Sequence, residues 1–124
     1  MNAETRGAVA QLMFEGVALD RGWLVHRPVY AGSEHDALIQ FTPGGRYYRV
    51  QVKRVYPKDA HRTINLKRRD GSRYKNIDYV VAVEVSTGQM WMIPFSKLTN
   101  PATKQPKGRV RLTESYYTYS LVRA

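Results

Sequence analysis

From Ala3 to about Arg21 the apolar or small residues Val9, Leu12, Met13, Gly16 and Leu19 recur every three or four positions, the spacing of one face of a helix. An amphipathic helix is therefore expected there, ended by Gly22, whose missing Cβ lets the backbone turn left-handed. Trp23-Leu24-Val25 then begins a β-like run that Pro28 stops. Two further strands are expected at about His35 to Phe41 and Arg46 to Val55. Thr42-Pro43-Gly44-Gly45 between them supplies a tight reversal, so the pair reads as an antiparallel hairpin.

The stretch from Tyr56 to Ile77 is polar and basic, and only Ile64 and Leu66 alternate with polar neighbours, the pattern of a short exposed strand on a decorated edge. Tyr79 to Val85 is an almost continuous apolar run rich in β-branched residues. Ser86-Thr87-Gly88-Gln89 turns it into Met90-Trp91-Met92-Ile93, a buried second hairpin. A loop at Asn100 to Gly108, a short strand at Arg109 to Leu112 and a Tyr-rich end follow. Tyr116, Tyr117 and Tyr119 there suit packing on the core better than stacking on a ligand. These elements predict one α/β domain over residues 1–124: a helix packed on a mixed central sheet of about five strands, with a short helical tail.

Charge narrows the partners. Lys and Arg number 20 against 10 Asp and Glu, a formal charge of +10, which favours a polyanion, nucleic acid first. Membrane binding is not expected, because no basic face is joined to a broad apolar one and no apolar run approaches the roughly 20 residues of a span. Without cysteine there is no disulfide frame or thiolate chemistry. The start, Met1-Asn2-Ala3-Glu4, lacks the charged and apolar segments of a signal peptide, so an intracellular protein is expected, cytoplasmic or nucleoid-associated. No Gly-x-Ser-x-Gly elbow and no phosphate-binding glycine loop occurs, and His26, His35 and His61 have no zinc-site spacing.

One constellation suits chemistry on a polyanion. Residues two apart on a strand share a face, so Gln51 and Lys53 project together while Val50 and Val52 turn to the core. The hairpin brings Asp36, at the start of the preceding strand, beside that pair. Hydrolysing a phosphodiester needs a cation on the phosphate, an activated water and stabilisation of the charge on phosphorus. The Asp36 carboxylate, the Gln51 amide oxygen and a neighbouring backbone carbonyl, that of Val52, suit a hard ion such as Mg2+, with Mn2+ as a substitute; Lys53 is placed to orient or activate the water. Lys53, Arg54, Lys58, Arg62, Lys67, Arg68, Arg69, Arg73 and Lys75 are nine of the twenty basic residues, and they crowd beside this centre, where phosphates should lie. Arg68, Arg69, Arg73 and Lys75 are the candidates for reading a groove or holding the backbone.

The order of these motifs resembles a known superfamily. Arg21-Gly22-Trp23 closing a helix is followed by Arg27-Pro28, His35-Asp36-Ala37-Leu38-Ile39 and Arg49-Val50-Gln51-Val52-Lys53. Then come Ile64-Asn65-Leu66-Lys67-Arg68, Tyr74 with Ile77-Asp78-Tyr79, and Trp91-Met92-Ile93-Pro94-Phe95. The whole, from about Gly7 to Leu98, resembles the PD-(D/E)XK nucleases, most closely their intron-encoded homing endonuclease branch, with Holliday-junction resolvases more distant. The resemblance implies a magnesium-dependent DNA endonuclease in which Asp36 is the metal ligand, Gln51 stands at the (D/E) position, as in a variation of the homing branch, and Lys53 is the catalytic lysine. His35 replaces the proline.

A glutamate expected on the first helix is also replaced, by Gln11 counted back from Gly22. Glu4, Ala8, Gln11 and Glu15 share one helical stripe, so Glu15, or failing it Glu4, is expected to complete the site. The paucity of carboxylates leaves open a non-catalytic nucleic-acid-binding protein on the same scaffold, and a junction-resolving nuclease is the other alternative. Cutting both strands of a duplex needs two centres, so a homo-oligomer, dimer or tetramer, is expected.

Overall fold

A computed structural model describes residues 2–29, 36–58, 61–67, 74–100, 102–103 and 107–122. His35, Arg68, Arg69 and Arg73 of the expected site lie outside the described residues. Helix α1 (Ala3–Asp20) opens on Asn2, whose side chain accepts a hydrogen bond from Thr5 N at 2.9 Å. It closes as expected at Gly22 (φ 80°), where Gly22 N donates to Leu19 O and Trp23 N to Ala18 O, satisfying carbonyls the helix end would orphan.

The face α1 buries is not the expected one. Ala10, Phe14 and Ala18 are buried, with Met13 and Val17 beside them, whereas Leu12 and Leu19 are 58% and 60% exposed. Two alanines flanking one phenylalanine let the helix lie close to the sheet, and apolar character alone did not distinguish that stripe from the neighbouring leucines.

Six strands form the main sheet, in the order β1 (Leu24–His26), β2 (Ala37–Gln40), β3 (Tyr48–Arg54), β6 (Tyr79–Glu84), β7 (Gln89–Pro94) and β9 (Ser120–Val122). All neighbours are antiparallel except β3 and β6, which run parallel with Gln51 level with Val80 and Lys53 level with Ala82. Both expected hairpins are present, β2–β3 turning at Gly44 (φ 75°) and β6–β7 at Gly88 (φ 78°). The expected helical tail is a 3-10 turn, Glu114–Tyr119, leading into β9.

A second sheet, absent from the sequence expectation, joins β4 (Tyr56–Lys58), β5 (His61–Asn65) and β8 (Arg109–Arg111). The sheets and α1 make two cores. On one face of the main sheet Ile39, Val50, Val52, Val81 and Val83 meet Phe14 and Ala18. On the other, Val80, Ala82, Trp91 and Ile93 meet Ile64, Leu66, Leu98, Val110 and Leu112. β6 is thus apolar on both faces, which explains its unbroken hydrophobic run.

This corrects the reading of the basic stretch: β5 is the middle strand of its sheet, and Ile64 and Leu66 are fully buried. Ile64 pairs with Val110, a partner far along the chain that local periodicity cannot reveal.

Candidate active site

Asp36 precedes β2, one residue beyond the register pair Ala37 and Val50, and so stands level with Gln51. Its N–H donates to Val50 O at 2.8 Å, and its Oδ2 accepts from Val52 N at 2.8 Å. The carboxylate therefore takes the ladder position of a backbone carbonyl, which fixes it against β3. A strand residue directs its N–H and C=O to the same edge, so the Val52 carbonyl shares the edge that faces Asp36.

Gln51 is buried, yet its amide makes no hydrogen bond among the described residues, and no buried side-chain polar atom there lacks a partner. Its polar end therefore reaches solvent. Lys53, half-buried on the same face, donates to Tyr74 Oη at 2.7 Å, with Nζ 4.6 Å from the centre of that ring. Hydrogen bonds tie the start of β3 to β6 here. Asp78, just before β6, accepts from Arg49 N at 2.7 Å and Arg49 Nε at 3.3 Å, and returns its own N–H to Arg49 O at 2.9 Å.

The stripe expected on α1 meets this centre through Gln11, whose Nε2 lies 3.3 Å from Asp36 O and 3.4 Å from Glu15 Oε2. Both oxygens of Glu15 are engaged by Arg27, Oε2 by Nε at 2.8 Å and Oε1 by Nη2 at 2.5 Å. Hydrogen bonding to Arg27, helped by Gln11, holds the Glu15 carboxyl below the usual carboxylate range against the opposing pull of burial. Among the described contacts Glu15 is linked to Asp36 through Gln11. Glu4 is exposed in the first turn of α1, well along the helix from Gln11.

The basic residues divide. Lys67 and Lys75 are exposed, Arg54 is half-buried with its guanidinium 5.8 Å from the Tyr56 ring, and Lys58 ends β4. Arg62, expected on phosphate, is the hub of an internal cluster. It donates to Glu84 at 2.8 Å, Gln89 at 3.0 Å and Tyr117 Oη at 3.2 Å, and lies over the Trp91 ring at 5.5 Å. For Glu84 burial is the largest influence and raises its carboxyl, but hydrogen bonds from Arg62 and Thr87 outweigh it and the net shift is downward. Tyr117 stacks on Trp91 at 6.2 Å, and Tyr116 and Tyr119 pack on the second core.

Arg27 and Tyr74 are without a role in the sequence-based expectation. A basic residue just past the helix end, able to fold back onto Glu15, was the available signal for Arg27. Tyr74 carried none, because its approach to Lys53 crosses twenty-one residues.

Among the described residues the candidate ligands beside Asp36, the Gln51 amide and the Val52 carbonyl, offer oxygen, and no group of three His, Cys, Asp or Glu suited to a metal occurs there. One carboxylate, a solvent-reaching amide and a backbone carbonyl fit a hard cation that keeps several waters, and not zinc. The sequence matches no protein-family model and no curated protein. The fold is similar to that of a solved bacterial homing endonuclease, I-Ssp6803I, with a TM-score of 0.79 and 19% identity over 97% of this chain and 89% of that one. No helix among the described residues is long and apolar enough to cross a membrane.

Proposed function

We propose that this protein is a magnesium-dependent DNA endonuclease of the PD-(D/E)XK type, centred on Asp36, Gln51 and Lys53. The observation that supports the reading is the register that sets Asp36, at the entry to β2, level with Gln51, its carboxylate on Val52 N, with Lys53 two residues on in β3, in a fold similar to that of a homing endonuclease. Asp36, the Gln51 amide oxygen and the Val52 carbonyl would hold Mg2+ or Mn2+, which supplies positive charge to the phosphate and acidity to a water. The Val52 N–H fixes Asp36 from one side and Gln11 holds its backbone from the other, so the carboxylate needs little rearrangement to bind. Lys53 brings a cation to the same face and stabilises charge building on the phosphoryl oxygens, with Tyr74 Oη steering its ammonium. Glu15 serves as counter-charge to Arg27 and as an anchor for Gln11. Because each chain carries one such centre, double-strand cutting calls for paired chains; light scattering that finds only monomer on a cut duplex contradicts this.

A second reading, a DNA-binding protein that does not cut, is favoured by one observation: Glu15 is charge-balanced by Arg27, which leaves Asp36 as the one carboxylate at the centre among the described residues. Incubation with supercoiled plasmid libraries, linear duplex and a synthetic four-way junction, each with Mg2+, Mn2+ or chelator, separates the readings. The nuclease reading predicts metal-dependent cutting of duplex. Cutting confined to the junction makes the protein a resolvase, and tight salt-sensitive binding without cutting makes it a binding protein.

A further inference from the structure

A cavity of about 740 Å³ opens where β3 and β6 end, lined by Arg62, Glu84 and Tyr117 of the Arg62 cluster and by Val55 and Leu112 at the edge of the second core. Arg6 from α1, Arg54 at the end of β3 and His61 at the start of β5 converge on it, with Tyr56 and Tyr117 on its walls. Among the described residues that line it, the one acid is Glu84, already engaged by Arg62 and Thr87. Arg6, Arg54 and His61 form no ion pair among the described residues. Among the described residues the cations of this concave site outnumber its acids and two guanidinium groups are uncommitted to carboxylates, an arrangement that favours a bound anion.

We infer that this cavity is a phosphate-binding site, in which Arg6 and Arg54 clamp the phosphate oxygens and His61 adds a ring donor. Guanidinium forks match the tetrahedral oxygens of phosphate, and the volume, within the roughly 300–1,000 Å³ of ligand pockets, also admits the sugar on either side of a phosphodiester. Alternation along β3 sends Arg54 to the face opposite Lys53, so the phosphate held here is not the one being cut. Its source is the backbone of bound DNA. That source rests on the proposed nuclease function; the phosphate site itself does not.

The test uses Trp91, which stacks on the cavity residue Tyr117, in a Trp23→Phe background where it is the sole tryptophan. Inorganic pyrophosphate should change its fluorescence saturably. Arg6→Gln with Arg54→Gln should weaken binding at least roughly tenfold, the scale of losing a charged hydrogen bond. Arg6→Gln alone, on an exposed helix position, should weaken it in the same direction and guards against misfolding. Lys97→Gln with Lys107→Gln removes equal charge outside the lining and should leave binding unchanged. No saturable response, an equal response in the Arg6/Arg54 variant, an equal loss in the Lys97/Lys107 control, or equal affinity for poly-glutamate overturns the site.

A second arm measures duplex binding against salt without Mg2+. The slope of log affinity on log salt should fall by about 1 to 2 in the Arg6/Arg54 variant. An unchanged slope with the pyrophosphate response lost assigns the cavity to a free phosphate and overturns its backbone role. Absence of duplex binding by the parent overturns the nuclease reading, and the pyrophosphate arm still decides the site.

Discussion

Of the arginine–carboxylate pairs among the described residues, Arg62–Glu84 and Arg27–Glu15 have different consequences. Arg62 meets Glu84 at 2.8 Å, but also Gln89, Tyr117 and the Trp91 ring, so it ties β5, β6, β7 and the C-terminal turn together. Arg27 meets Glu15 and, among the described contacts, nothing else; its side chain is 57% exposed. Glu15 in turn contacts Gln11, and Gln11 contacts Asp36. An ion pair's worth depends on what else its members hold: the first pair closes a structure, and the second ends in a chain of contacts leading to the candidate centre.

The largest effect should come from Arg62→Ala, which removes three hydrogen bonds and the packing on Trp91. We expect a loss of about 2 kcal/mol in urea unfolding, already reduced for the side chain's partial exposure. A loss near zero would break the contrast. Arg27→Ala should cost far less stability than Arg62→Ala, as exposed pairs do, yet slow cleavage several-fold with the Mg2+ midpoint unchanged. A lower midpoint in that variant would reveal Glu15, once released, as a metal ligand.

The smallest effect separates the pairs by pH. Both carboxyls are held below the usual carboxylate range, so their stabilisation is complete above about pH 5 and is lost as pH falls through the depressed values. Glu15→Gln and Glu84→Gln should each flatten the acid limb of the Tm profile, and above about pH 6 each variant's offset from the parent should stay constant. A limb as steep as the parent's in both variants would contradict the assignment.

How much of this the sequence disclosed depended on separation along the chain. The helix end at Gly22, the reversal at Gly44 and the apolar run from Tyr79 were legible because their causes are local: a left-handed residue, a tight turn, a strand covered on both faces. The meeting of Asp36 with Gln51 was legible for the same reason, since one short hairpin joins them. Ile64 misled because its cover, Val110, lies on a strand forty-six residues away. Arg62 was expected on phosphate, and its contacts with Glu84 and Trp91 were not legible because they lie on strands twenty-two and twenty-nine residues away. On α1 the leucines at 12 and 19 outweighed Ala10 and Ala18 in any hydrophobic pattern, although the small residues are the ones that let the helix approach the sheet.

The central claim, that Asp36, Gln51 and Lys53 form a hydrolytic centre distinct from the surfaces that hold DNA, is met most directly by one comparison. Cleavage and retention of the same DNA are measured in Mg2+ for the parent, Asp36→Ala and Lys53→Ala. The account predicts that both variants retain DNA nearly as the parent does and lose cleavage by roughly a hundredfold or more. Variants that cut at the parent's rate would contradict it.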